Sequence, residues 1–147
     1  FIDGNEFTVE SVSPDPDAPI PETREVEIPE VTKGKTVRAP FGRVFATRSG
    51  DKGGNANLGV WAKTPEAFAF LRDFLTTQKL KELLKDMSAF EIERYEMPNL
   101  LAINFYIKGV LGEGVAASLR SDPQAKTLGE YLRAKVIELP ESLLPNA

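Results

Sequence analysis

The chain has 147 residues, of which 41% are hydrophobic and 27% are charged, the composition of one globular domain with a sizeable core. It contains no histidine and no cysteine, which excludes Ser-His-Asp catalysis, thiol nucleophiles and Cys/His zinc sites within this chain. It has neither a basic stripe with interleaved aromatic residues nor an apolar run of about 20 residues, so we expect no nucleic-acid binding and no membrane span.

The N-terminal part differs in composition from the rest. Residues 1–40 hold six of the eleven prolines and carry nine acidic and four basic side chains. Proline fixes φ and pushes the preceding residue towards extended geometry, so no long helix is expected there. We interpret residues 1–37 as an extended acidic arm or linker and residues 38–147 as the domain. The alternating stretches 7–12 and 24–31 leave open whether the arm is a flexible leader or docks as strands on a partner.

Two strands are predicted next. GRVFATR (42–48) and NLGVWAK (57–63) alternate apolar and polar residues, which is typical of half-buried strands. The glycine-rich and charged stretch 48–57 between them is then a connecting loop, longer than a tight hairpin needs.

Helix signals follow the second strand. Thr64 before Pro65 predicts a helix start, because threonine is a good N-cap and proline suits the first helical position. Apolar residues at helical spacing over 80–87 predict a second amphipathic helix or an extension of the first. One or two helical turns are also expected over 115–122. Thr127 and Glu130 have capping-box spacing for a last helix that reaches about residue 136.

Two further strands complete the pattern. FEIERYEM (90–97) and LLAINFYIKG (100–109) are β-rich runs separated by Pro-Asn, a two-residue turn signal, and the tail 138–147 is expected to be irregular. The order β-β-α-(α)-β-β-α predicts an α+β fold. In it, helices pack on one face of a mostly antiparallel four-stranded sheet, a two-layer ferredoxin-like sandwich.

The loop 48–57 is the first candidate site. Successive glycines permit positive φ and can aim N–H groups into a concavity that binds anions, while Arg48 and Lys52 add positive charge. Asp51 could orient a cation or accept a proton, and Asn55 and Asn57 offer both donors and acceptors. The alternative is an exposed polar loop in which Asp51 pairs with one of the cations.

Other candidates are weaker. Gly109, Gly112 and Gly114 follow a buried strand and could approach an anion, but they could equally form a close-packed chain reversal. The aromatic residues Trp61, Tyr95 and Tyr106 could line a pocket, although packing is the commoner role. Neither glycine cluster matches a phosphate-loop or dinucleotide-binding motif.

The stretches ATRSGDKGGNANLGVWA (46–62) and YEMPNLLAINFYIKGVLGEGVAASLRSDPQAKTLGEYL (95–132), with the helices between them, resemble the C-terminal domain of the acyclic terpene utilisation AtuA family. The resemblance covers roughly residues 38–137. It implies a small ferredoxin-like domain that follows a larger α/β domain, and a link to breakdown of branched or isoprenoid acyl-CoA compounds. The family signature maps onto Arg48, Ser49, Gly50, Asp51, Lys52, Gly53, Gly54, Asn104, Lys108, Gly109, Gly112 and Gly114.

Two functions follow as hypotheses. In the first, the chain is a component of an acyl-CoA-metabolising enzyme. Asp51 and Lys52 would be catalytic, and Arg48 and the remaining signature residues, with Asn55 and Asn57, would bind the substrate anion. The loop 48–57 and the glycine turn 109–114 would meet at one end of the sheet, or at the interface with a larger α/β domain. In the second, it is a non-catalytic assembly or oligomerisation domain. In both, we expect the partner to be a larger α/β domain or subunit in an oligomer, a cytoplasmic location because cysteine is absent, and no metal or cofactor within this chain.

Overall fold

The computed structural model describes residues 3–6, 8, 10–19, 22, 25–31 and 34–144. Its strands are β1 (Thr36–Pro40), β2 (Ala46–Lys52), β3 (Asn55–Trp61), β4 (Ile92–Met97), β5 (Ala102–Ile107) and β6 (Val136–Pro140). Its α-helices are α1 (Pro65–Phe74), α2 (Thr77–Leu83) and α3 (Leu128–Arg133). No helix among the described residues is both long enough and apolar enough to cross a membrane.

The main sheet has four strands in the order β2-β3-β5-β4, and every neighbouring pair is antiparallel. One face of this sheet carries Leu58 and Phe105, which are fully buried in the same apolar cluster as Phe68 and Leu71 of α1. The predicted α+β, ferredoxin-like class is therefore confirmed, with helices packed on a mostly antiparallel sheet.

A second, two-stranded sheet was not predicted. β1 pairs antiparallel with β6, from Thr36 opposite Pro140 to Pro40 opposite Val136. The prediction of an irregular tail from residue 138 is thus wrong as far as Pro140. Ile137 and Leu139 alternate into the core while Glu138 is exposed, so the tail carried a short strand pattern.

The predicted loop 48–57 is a tight hairpin. β2 continues to Lys52 and β3 begins at Asn55, so only Gly53 and Gly54 separate the strands. Gly53 has φ +62°, a left-handed conformation that glycine adopts without steric cost. The predicted strand start at residue 42 is also wrong, because Phe41–Arg43 forms a 3-10 turn before β2.

The helix predictions hold in part. Thr64 caps α1 as predicted, accepting a hydrogen bond from the Ala67 amide at 3.2 Å, and α2 is a separate helix capped in the same way by Thr76. The capping box at Thr127 is wrong, since its hydroxyl donates to the Asp122 carboxylate at 2.8 Å. Residues 115–122 form turns without a helix.

Two other connections differ from expectation. A 3-10 turn at Pro98–Leu100 and a left-handed Leu101 (φ +50°) join β4 to β5, a longer connection than the predicted two-residue turn. In the arm, residues 25–31 form no strand, although Ile28 packs against the core. Phe7 and Val9 of the alternating stretch 7–12, and Arg24 of the second stretch, lie outside the described residues.

Candidate functional site

Strand alternation divides the side chains of the four-stranded sheet between a face that packs on the helices and a face that we call the open face. Residues aligned across the ladder share a face. The register therefore places three rows on the open face: Ala46, Trp61, Ala102 and Met97; Arg48, Gly59, Asn104 and Tyr95; and Gly50, Asn57, Tyr106 and Glu93.

The two predicted catalytic side chains lie on opposite faces of β2, because Asp51 and Lys52 are consecutive in a strand. The Lys52 Nζ donates to the backbone oxygen of Asp51 at 2.9 Å. The Asp51 carboxylate instead lies 3.9 Å from the Nζ of Lys126, which precedes α3. The structure does not bring the predicted acid and base together as a side-chain pair.

Arg48 and Lys52 share the open face, with the Gly50 row between them. They are four residues apart on one strand, which separates their Cα atoms by roughly 13 Å at the usual rise per residue. Among the described residues, no carboxylate oxygen lies within 4.0 Å of either cation. Each side chain is exposed, so each can meet an anionic group from outside the chain.

Ser49 faces the helices and is 6% exposed. Its hydroxyl accepts a hydrogen bond from the Gly129 amide at 2.9 Å and donates to the Lys126 carbonyl at 3.3 Å. A Cβ at Gly129 would lie 2.7 Å from the Thr47 hydroxyl, so the helix can approach the strand this closely only with glycine there. Ser49 therefore fastens α3 to β2 and is not available to a ligand.

The two glycine clusters meet at one end of the sheet, as expected from the sequence. The Leu111 amide donates to the carbonyl of Gly54 at 2.9 Å, and a Cβ at Gly54 would overlap the carbonyl oxygen of Gly112. In the second cluster, Gly109, Gly112 and Gly114 all have positive φ, between +62° and +110°. The glycines thus permit two turns to pack backbone against backbone.

Asparagines tie the strands together near this end. The Asn55 side chain donates to the Tyr106 hydroxyl at 2.6 Å and accepts from the Gly109 amide at 2.7 Å. Asn57 donates to the side-chain oxygen of Asn104 at 3.3 Å. Asn55 in particular uses both its donor and its acceptor within the fold, which favours a structural role.

Lys108 is already paired. Its Nζ lies 2.7 Å from a Glu91 oxygen and 2.6 Å from a Glu93 oxygen, and these hydrogen bonds raise the pKa of Lys108. The hydrogen bond from Lys108, and then the one from Tyr95, lowers the pKa of Glu93 below its ordinary value. The bond to Glu93 raises the pKa of the Tyr95 hydroxyl. This corner of the open face holds two acids and one base.

The apolar side chains of the open face were not predicted as a group: Trp61 and Tyr95 were expected only as possible pocket residues, and Met97 and Leu100 were not singled out. Trp61, Met97 and Tyr95 expose 38%, 39% and 50% of their surface, and Leu100, just after β4, exposes 67%. The first two belong to one row, on either side of Ala102. Strand alternation could have predicted their shared face had the register been known.

No group of three or more carboxylates among the described residues is arranged to hold a metal ion. Residues 39–138 match the family described as the AtuA ferredoxin-like domain. A search of curated proteins and a search of solved structures found no match. The family match spans most of the chain, and the protein therefore belongs to the AtuA ferredoxin-like domain family.

Proposed function

We propose that this chain is the small domain or subunit of an AtuA-type protein, and that its open face docks on a larger α/β domain or subunit. The observation that carries the proposal is the row of exposed apolar side chains around Trp61 and Met97. A tryptophan or tyrosine can bury a large area with little loss of side-chain freedom, and such residues dominate the energetics of many interfaces.

The charges of the open face favour one kind of partner surface. Arg48 and Lys52 lie on the β2 side, whereas Glu91 and Glu93 outnumber Lys108 on the β4 side. A complementary partner presents acidic groups or a bound anion to the first side, basic groups to the second, and an apolar pocket to Trp61.

We infer that the whole protein acts in the catabolism of branched or isoprenoid acyl-CoA compounds. In this account one cation near the hairpin end, either Arg48 or Lys52, contacts the anionic substrate at the interface. Asp51 and Lys52 do not form a side-chain pair, and in this account neither of them carries the reaction. The chain is therefore proposed as a component whose larger partner carries the reaction, and the alternative is a purely structural assembly domain.

Docking is tested by titrating the larger AtuA-type α/β domain of the same organism with variants of this chain. Trp61→Ser should weaken the complex by about tenfold or more, because an interface anchor contributes at least about 1.4 kcal/mol. The matched control is Val136→Ser, which changes a side chain that is also exposed (51%) but lies on β6. Equal affinity for Trp61→Ser and the unmodified chain would contradict docking through the open face.

The anion role is tested on the assembled protein with an acyl-CoA ester, for which isovaleryl-CoA is a suitable probe. Arg48→Gln with Lys52→Gln should raise its dissociation constant by about threefold to tenfold, because exposed cations contribute modestly. Lys81→Gln with Lys85→Gln removes the same charge from α2 and the turn after it. If both double variants bind the ester like the unmodified assembly, only the structural role is left.

A further inference from the structure

A cavity of about 460 Å³ lies beside the start of α1. It is built by three separate parts of the chain: the residues before β2, the first turn of α1 and the segment after β6. Its lining consists of Arg43, Val44, Lys63, Thr64, Glu66, Ala67, Ser142, Leu143 and Leu144. The volume falls within the usual range for small-molecule sites, about 300 to 1,000 Å³.

The lining is apolar on its walls and positively charged at its edges. Val44, Leu143 and Leu144 are partly buried against the core, and Ala67 is buried. Arg43 and Lys63 are exposed, and among the described residues no carboxylate oxygen lies within 4.0 Å of either one. With one carboxylate, Glu66, against two cations, the cavity has a net positive charge.

These features favour a ligand with one anionic end and one hydrocarbon part. An anionic end reaching Arg43 or Lys63 gains charge-assisted hydrogen bonds, and Arg43 can also hold a carboxylate with two parallel bonds. A hydrocarbon part that leaves water for the leucine and valine wall gains about 0.8 kcal/mol per buried methylene group. A fully polar anion would lack the contribution from buried methylene groups. A neutral hydrocarbon would lack the charge-assisted hydrogen bonds.

We propose that this cavity is a binding site for a small aliphatic carboxylate. The site stands apart from the docking proposal, because none of its lining residues belongs to the open face. The acidic arm passes next to the cavity, where Glu27, Ile28 and Pro29 line a neighbouring pocket together with Glu66.

The test is a titration of the full 147-residue chain with octanoate, followed by amide chemical shifts in NMR. We expect the shifts to concentrate at residues 43–44, 63–67 and 142–144, and 1-octanol to bind at least about fivefold more weakly. Arg43→Gln with Lys63→Gln should raise the octanoate dissociation constant by about fivefold, since exposed ion pairs contribute modestly. The control Lys81→Gln with Lys85→Gln carries the same net charge and should bind octanoate like the unmodified chain.

Three results would overturn the proposal. One is the absence of chemical-shift changes at the lining residues as the octanoate concentration is raised towards its micelle-forming range. Another is equal binding by the Arg43/Lys63 double variant, with thermal melting confirming that this variant is folded. The third is equal affinity for octanoate and 1-octanol, which would leave only non-specific apolar binding.

Discussion

Ser49 illustrates how one small side chain can hold two elements together. It comes from the charged, glycine-rich stretch 48–57, yet it is buried and its hydroxyl joins β2 to the backbone of α3. The Gly129 amide to which it is bonded is buried, so removing the hydroxyl leaves a donor without a partner in the folded state.

Ser49→Ala should therefore lower the free energy of unfolding by about 1 to 3 kcal/mol, the cost of an unsatisfied buried amide. The measurement is urea denaturation, compared with Ser88→Ala. Ser88 is exposed, and its substitution should change stability by less than about 0.5 kcal/mol. If the two variants unfold at the same urea concentration, Ser49 does not fasten α3 to β2.

Arg94 shows what residue type and strand alternation could not predict. Its Nε donates to the Leu75 carbonyl at 3.1 Å and one of its terminal nitrogens donates to the Arg72 carbonyl at 2.8 Å. The guanidinium thus occupies backbone acceptors that the C-terminal end of α1 leaves free. The local sequence of β4 does not indicate these partners, because they lie 19 and 22 residues away in the chain.

At the scale of elements, the contact between the β2–β3 hairpin and the glycine turn fixes one end of the sheet. A Cβ at Gly54 would overlap a backbone oxygen, which a side-chain rotation cannot relieve. A Cβ added at Gly53 would meet no atom within 4 Å, so only the positive φ of Gly53 opposes a side chain there.

Gly54→Ala should destabilise the fold by about 1 to 3 kcal/mol through overpacking and should speed hydrogen exchange at the Leu111 amide, which donates to Gly54. Gly53→Ala should cost about 1 to 2 kcal/mol from its left-handed backbone and leave Leu111 protected. Gly34→Ala, with open space and no positive φ, is the neutral control. Faster exchange at Leu111 in Gly53→Ala but not in Gly54→Ala would contradict this assignment.

Sequence reasoning succeeded where the signals were local and failed where pairing decided the outcome. The start of α1 was predictable because Thr64 and Pro65 act within one turn. Residues 48–57 were predicted to be a loop because glycine and asparagine are poor strand formers. In the structure, pairing of β2 with β3, and of β3 with β5, holds these residues extended. The β1–β6 sheet joins segments about a hundred residues apart, a distance over which no short pattern carries information.

At the scale of the whole molecule, two surfaces have different proposed uses. The open face combines an apolar row, an acidic corner paired with Lys108, and two cations, Arg48 and Lys52, that have no carboxylate partner among the described residues. The cavity beside α1 is lined by none of these residues. The fold class and the meeting of the glycine clusters were predictable, but the open face was not, since it depends on the register of four strands.

Charge is also divided along the chain. Residues 1–40 have a net charge of −5 from nine acids and four bases, whereas the remainder carries thirteen acids and fourteen bases. Residues 1–40 therefore form an acidic segment beside a nearly neutral remainder, and a partner with a basic surface would attract this segment at low ionic strength.

The most direct test of docking uses Trp61, the only tryptophan in the chain. The chain is labelled with 5-fluorotryptophan and mixed with the unlabelled larger AtuA-type α/β domain, and the fluorine NMR signal is followed. Because Trp61 is 38% exposed in the free chain, we predict that its signal shifts and loses its sensitivity to exchange of H₂O for D₂O as the complex forms. A complex detected by sedimentation in which that signal keeps the position and solvent sensitivity of the free chain would contradict the account.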